Sequence, residues 1–91
     1  MSSNKPDVRL VLVEWLDSRQ PLGQWQYLSE FDEPEATPCV SVGFLIHEGA
    51  SVVALAPNMA DINDERSIQA SGVIRIPTTC VTRICELSEI D

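Results

Sequence analysis

Residues 8–16 read VRLVLVEWL, and the stretch is apolar on both faces of a strand. Leu10, Leu12 and Leu16 fall on one side, and Val11, Val13 and Trp15 fall on the other, because side chains alternate along extended backbone. β-Branched residues are frequent here, which favours a strand over a helix. A strand with two apolar faces must be covered twice. The core takes one face, and a neighbouring segment or another subunit takes the second. Asp17-Ser18 ends the run, and Pro21 and Gly23 mark a turn.

Further strands follow at short intervals. Val40, Val42, Phe44 and Ile46 alternate with Cys39, Ser41, Gly43 and Leu45, and this alternation assigns Phe44 to the core. Glu48-Gly49-Ala50 makes a turn, and Ser51–Ala56 returns as the second arm of a hairpin closed by Pro57. A polar loop over 58–67 precedes a fourth strand from Ile68 to Ile76. Pro77-Thr78-Thr79 breaks it, and Val81–Leu87 forms the last strand. Trp25, Leu28 and Phe31 recur every third residue, which fits one or two turns of helix or 3₁₀ helix, and Glu33–Pro38 reads as an exposed loop.

Five short strands in ninety-one residues predict an all-β fold. The best solution is a small, strongly bent antiparallel barrel of the SH3-like or Sm-like kind. It would carry a short helical turn near 25–31 and a 3₁₀ turn near 77–81. A ferredoxin-like fold would need two long amphipathic helices that this pattern does not supply. The expected organisation is a disordered tail over 1–6, one barrel over 7–88 and a short tail over 89–91. A chain of this length removes roughly 60–65% of its unfolded surface from water, so the core is thin.

Charge restricts the partners. Six Lys and Arg against fourteen Asp and Glu give a formal charge of −8. No base lies between Arg19 and Arg66, where Glu30, Asp32, Glu33, Glu35, Glu48, Asp61, Asp64 and Glu65 are concentrated. A field of that sign repels a phosphate backbone and an anionic lipid surface, which argues against general DNA or RNA binding and against membrane association. The acidic residues Glu30, Asp32, Glu33, Glu35, Asp61, Asp64 and Glu65 form a candidate surface for a basic protein partner, in the manner of a nucleic-acid mimic. Plain solvation is the ordinary role of such residues.

Catalytic and metal chemistry find little purchase. Asp61-x-Asn63-x-Glu65 is spaced like the opening of a calcium loop, but Arg66 and Gly72 stand where that loop needs Gly and a bidentate Glu. Cys39, Cys80 and Cys85 form no CxxC pair, and the single His47 does not complete a zinc set. The three thiols fit a reducing cytoplasm, as small buried hydrophobes. His47 has no marked nucleophile beside it, so no enzyme, cofactor or metal is expected. Five of the six bases are Arg, suited to gripping phosphate or carboxylate. Trp15, Arg19, Trp25, Arg66, Arg75 and Arg83 are therefore the candidate residues for a small anionic ligand held where subunits meet. Salt bridges and core packing are their ordinary alternatives.

The residues also carry a resemblance. Trp15-Leu16-Asp17-Ser18, Gly23-Gln24-Trp25, Val40-Ser41-Val42-Gly43-Phe44 and Ile74-Arg75-Ile76-Pro77, with Ile84 and Leu87, make the chain resemble small accessory proteins of tailed bacteriophages over about Val8 to Leu87. The resemblance implies a non-enzymatic protein in the host cytoplasm that counters host defence by binding. Its more specific form sequesters a nucleotide-derived immune signal at a homo-oligomer interface. The alternatives are an acidic inhibitor of a basic host protein and a structural or assembly component of the virion.

Overall fold

A computed structural model of the protein describes residues 8–19, 23–32 and 35–90. The tail expected over 1–6, the turn at Pro21, the pair Glu33-Pro34 and the terminal Asp91 lie outside the described residues. Among those described, the secondary structure is seven strands and two 3₁₀ turns: β1 (Leu10–Asp17), a 3₁₀ turn (Leu28–Glu30), β2 (Thr37–Glu48), β3 (Val52–Ala56), β4 (Asn58–Ala60), β5 (Gln69–Ser71), β6 (Ile74–Pro77), a 3₁₀ turn (Thr78–Cys80) and β7 (Val81–Glu86). The all-β expectation holds, and both 3₁₀ turns fall within the ranges read from sequence.

The principal sheet is antiparallel, in the order β6-β3-β2-β1-β7. Its two edge strands, β6 and β7, are consecutive in sequence and joined by the three residues Thr78–Cys80. Four inter-strand spacings would hold these edges about 19 Å apart if the sheet were flat, whereas a three-residue 3₁₀ turn advances only about 6 Å. The sheet must therefore roll. Thr78 fixes the turn, donating its hydroxyl to the Gly49 carbonyl at 2.7 Å and its backbone N–H to the Ser51 carbonyl at 3.0 Å. β6 and β7 do not pair with each other, so the roll is not closed into a barrel.

One of the expected strands is broken: Gly72, at φ +72°, divides the fourth into β5 and β6, whereas the third ends at Pro57 as expected. The stretch expected to be a polar loop opens with a further short strand, β4, which pairs with β5 as a separate two-stranded ribbon. A Cβ on Gly72 would sit 3.0 Å from the Pro57 ring, so the two breakers meet at one kink.

Inside the roll lie Val11, Val13, Leu45, Val53, Leu55 and Ile76, all buried, with Trp15, Ile74, Cys80, Val81 and Ile84 packed against them. Here the structure corrects the sequence reading. Cys39, Ser41, Gly43 and Leu45 share the inner face of β2, and Phe44 faces outward with Val40 and Val42. The reason is curvature. A Cβ on Gly43 would lie 2.9 Å from the Ala56 carbonyl oxygen, so at this point the inner side of β2 has room for glycine alone.

Ile76→Ala should cost about 2–5 kcal/mol by leaving a cavity, and Gly43→Ala about 1–3 kcal/mol by overpacking. Both are read as a lower urea midpoint at unchanged slope. A loss below about 1 kcal/mol for Ile76→Ala would mean that the core lies elsewhere.

Candidate binding surface

The outer face of β2, β1 and β7 is largely apolar, and no other described residue covers most of it. Across β1 and β2, Leu10 stands opposite Phe44, Leu12 opposite Val42, Glu14 opposite Val40 and Leu16 opposite Pro38. On the other side Cys85 stands opposite Leu12 and Arg83 opposite Glu14. Leu10, Leu16, Val42 and Leu87 are exposed, and Val40 is 62% exposed. At the Leu10 end the face deepens into a groove of about 580 Å³, lined by Val8, Leu10, Phe44, Met59, Ile62, Leu87 and Glu89. Met59 comes from β4 and Ile62 from the loop beyond it, so the kink at Pro57 and Gly72 is what brings the ribbon against the sheet.

A second apolar feature lies at the opposite end of β1. Trp25 is fully exposed, Leu28 is 92% exposed, Tyr27 78% and Phe31 60%. The hydrogen bonds of their 3₁₀ turn are local: Glu30 N–H to the Tyr27 carbonyl at 3.0 Å and Phe31 N–H to the Leu28 carbonyl at 3.2 Å. At its base Arg19 Nε donates to the Glu35 carbonyl oxygen.

The candidate anion-binding residues are dispersed over separate elements. Trp15 packs against the core and donates its indole N–H to Ser41 Oγ at 3.0 Å, so it is occupied structurally. Arg19 follows β1 and Trp25 lies on the projecting segment. Arg66 sits in the ribbon loop, where its backbone N–H donates to Asp64 Oδ1 at 3.1 Å. Arg75 and Arg83 lie on β6 and β7, the two opposite edge strands. Arg83 faces Glu14, Nη1 to Oε2 3.5 Å. One subunit therefore does not assemble these residues into a single site.

The acidic candidates form two groups. Glu30, Asp32 and Glu35 are exposed on the projecting segment, and Glu33 lies outside the described residues. Asp61, Asp64 and Glu65 are exposed at the ribbon tip. Two of these build the loop itself. Asp61, at φ +55°, accepts Gln69 Nε2 at 2.9 Å, and Asp64 accepts Ser67 Oγ at 3.0 Å. Among the described residues no group of three or more His, Cys, Asp and Glu is placed to hold a metal. No helix among them is long and apolar enough to cross a membrane. Cys39, Cys80 and Cys85 are unpaired and half-buried. His47 packs over the following turn, where a Cβ on Gly49 would lie 2.6 Å from its Nε2.

One ionic cluster escaped the sequence reading. Arg9 bridges Glu48 at 2.8 Å and Glu86 at 3.0 Å, tying the segment before β1 to the ends of β2 and β7. The hydrogen bonds that Arg9 donates to Glu86 and then to Glu48 raise its pKa above the ordinary value. Any stability gained from a raised pKa is present below the ordinary value and is lost only as pH rises through the higher folded one. The bridge thus keeps its cation across neutral pH. Its partners are separated by 39 and 77 positions, and no local pattern marks so distant a pairing.

Set against family models, curated proteins and solved structures, the chain matches none.

Trp15→Phe should lower stability by about 1 kcal/mol, the usual value of a lost hydrogen bond. The outer face should be unchanged, as read by amide chemical shifts at Leu10, Val42 and Leu87. Large shifts there would place Trp15 in the surface and not behind it.

Proposed function

We propose that this protein is a non-enzymatic bacteriophage accessory protein, working in the host cytoplasm, that docks on a host protein bearing basic and apolar surface. The observation that carries the reading is the uncovered apolar face of β2, β1 and β7 with its groove, set between two acidic tips. Contiguous exposed apolar surface marks interaction sites, and charge around such a patch steers a partner of opposite sign. The two-sided apolarity of β1 also supports self-association. Sequestration of a nucleotide-type signal, by contrast, requires Arg19, Arg66, Arg75 and Arg83 to converge from different subunits.

We also infer that the rolled sheet is an open variant of the SH3-like or Sm-like barrel. Its support is the order of the principal strands. Counted along the chain they stand fifth, first, second, third and fourth, with a 3₁₀ turn between the last two.

Capture of a bacterial host protein should weaken steeply as salt rises, because exposed charges are screened beyond roughly 8–10 Å at physiological ionic strength. Glu30→Gln, Asp32→Asn and Glu35→Gln together should reduce capture and leave the circular dichroism spectrum unchanged. Native mass spectrometry of material purified from bacterial cells supplies the opposing outcome. A nucleotide-sized adduct released by heating would replace protein docking with sequestration.

A further inference from the structure

We infer that two copies of this chain associate by exchanging their projecting segments, each placing Trp25, Tyr27, Leu28 and Phe31 on the outer apolar face and groove of the other. The inference deepens, and rests on, the self-association that the two-sided β1 supports. It identifies which surfaces meet: the second copy takes the face offered to a host protein, so the two occupants exclude each other and docking requires the dimer to open.

Three observations converge on a second copy as the occupant. The first is that one chain carries both halves of an apolar contact, and among the described residues neither half is filled by the other. Four large side chains project from the segment, and Leu10, Phe44, Met59, Ile62 and Leu87 line a groove elsewhere.

The second is position. The segment departs from the Asp17 end of β1 and returns at Thr37, its pairing partner, so both ends are anchored side by side. The groove lies at the Leu10 end. Seven residue steps at 3.3 Å place the two about 23 Å apart along the strand. A two-fold axis that sets the two β1 strands antiparallel brings each projecting segment to the other's groove, and the contact closes on itself.

The third is area. A fully exposed aromatic side chain offers roughly 150–250 Å² for burial, and Trp25, Tyr27 and Phe31 are 103%, 78% and 60% exposed. Two such segments, with the two faces they cover, bury on the order of 2,000 Å², above the roughly 1,600 Å² of a standard specific interface. Charge opposes the association, because each copy carries a formal −8. Added salt should therefore strengthen this dimer, whereas it weakens docking on a basic host protein.

The test is sedimentation velocity at micromolar concentration in low and high salt, with quenching of Trp25 fluorescence by iodide in a Trp15→Phe background. The expected result is a dimer, tighter in high salt, with Trp25 protected. Trp25→Ser with Leu28→Ser should raise its Kd about 30-fold or more, which is the hot-spot threshold of about 2 kcal/mol expressed as a ratio. Val42→Asp, on the receiving face, should do the same, with circular dichroism confirming the fold of each variant. A wild-type monomer would overturn this inference and self-association together. A dimer indifferent to both variants would overturn the exchange alone. A Val42→Asp protein that stays dimeric while the Trp25 variant dissociates would mean that segment meets segment, and would also sink it. Trp25 protected in a monomer would place the segment on its own face, with the same consequence.

Discussion

The three residues Thr78–Cys80 govern this structure. They connect strands at opposite edges of a five-stranded sheet, so the sheet cannot lie flat. Everything about which side chain points where follows from the resulting roll. The hydroxyl of Thr78 holds the turn to Gly49 at 2.7 Å and so ties it to the hairpin between β2 and β3. Val53 and Leu55 of β3 thereby face Ile76 of β6 and Val11 and Val13 of β1 across one small interior. Arg9 braces the same hairpin through Glu48 and joins it to the end of β7 through Glu86. Such exposed pairs contribute little on their own, and their role is to fix register where three chain segments end.

A rolled sheet makes its two faces unequal. The inner side is short of space, and Gly43 shows by how much, since even a methyl group there would meet the backbone of β3 at 2.9 Å. The outer side has room, and it carries Leu10, Leu16, Val40, Val42 and Phe44. This inverts the rule by which sequence is usually read, that the bulkier alternating set belongs to the core. Periodicity made the strands legible, and the Pro and Thr of residues 77–79 made the closing turn legible. It could not reveal which face was which, because a period of two is blind to curvature. The end of the third strand at Pro57 was legible, whereas the break of the fourth at Gly72 was hidden in an alternation that continues on both sides of it. Their meeting at one kink is a fact of pairing across the sheet. The Arg and Trp candidates shared a chemistry and not a location, and composition alone does not assemble a site.

Two features of the surface pull in opposite directions. The acidic groups at residues 30–35 and 61–65 keep the chain apart from anions and from copies of itself. The apolar face and the exposed aromatic residues of 25–31 favour association. Coulomb repulsion between such exposed charges is screened by salt, whereas the gain from apolar burial scales with area at about 25 cal/mol per Å². In the proposed association the apolar contribution must exceed that repulsion, and the acidic residues would serve discrimination, setting which partner approaches and at what rate.

A thin core explains why so much apolar surface stays outside. Six buried side chains make up the interior cluster, and in a chain this short the rolled sheet encloses no more. Leu12, Val42 and Phe44 cannot enter without unrolling the sheet, and unrolling is what the Thr78–Cys80 turn forbids. The second apolar face of β1 is thus not a core left incomplete by chance. It is the necessary outer surface of a sheet whose inner surface is already full, and among the described residues nothing but the segment at the far end of β1 carries the apolar side chains to cover such a face.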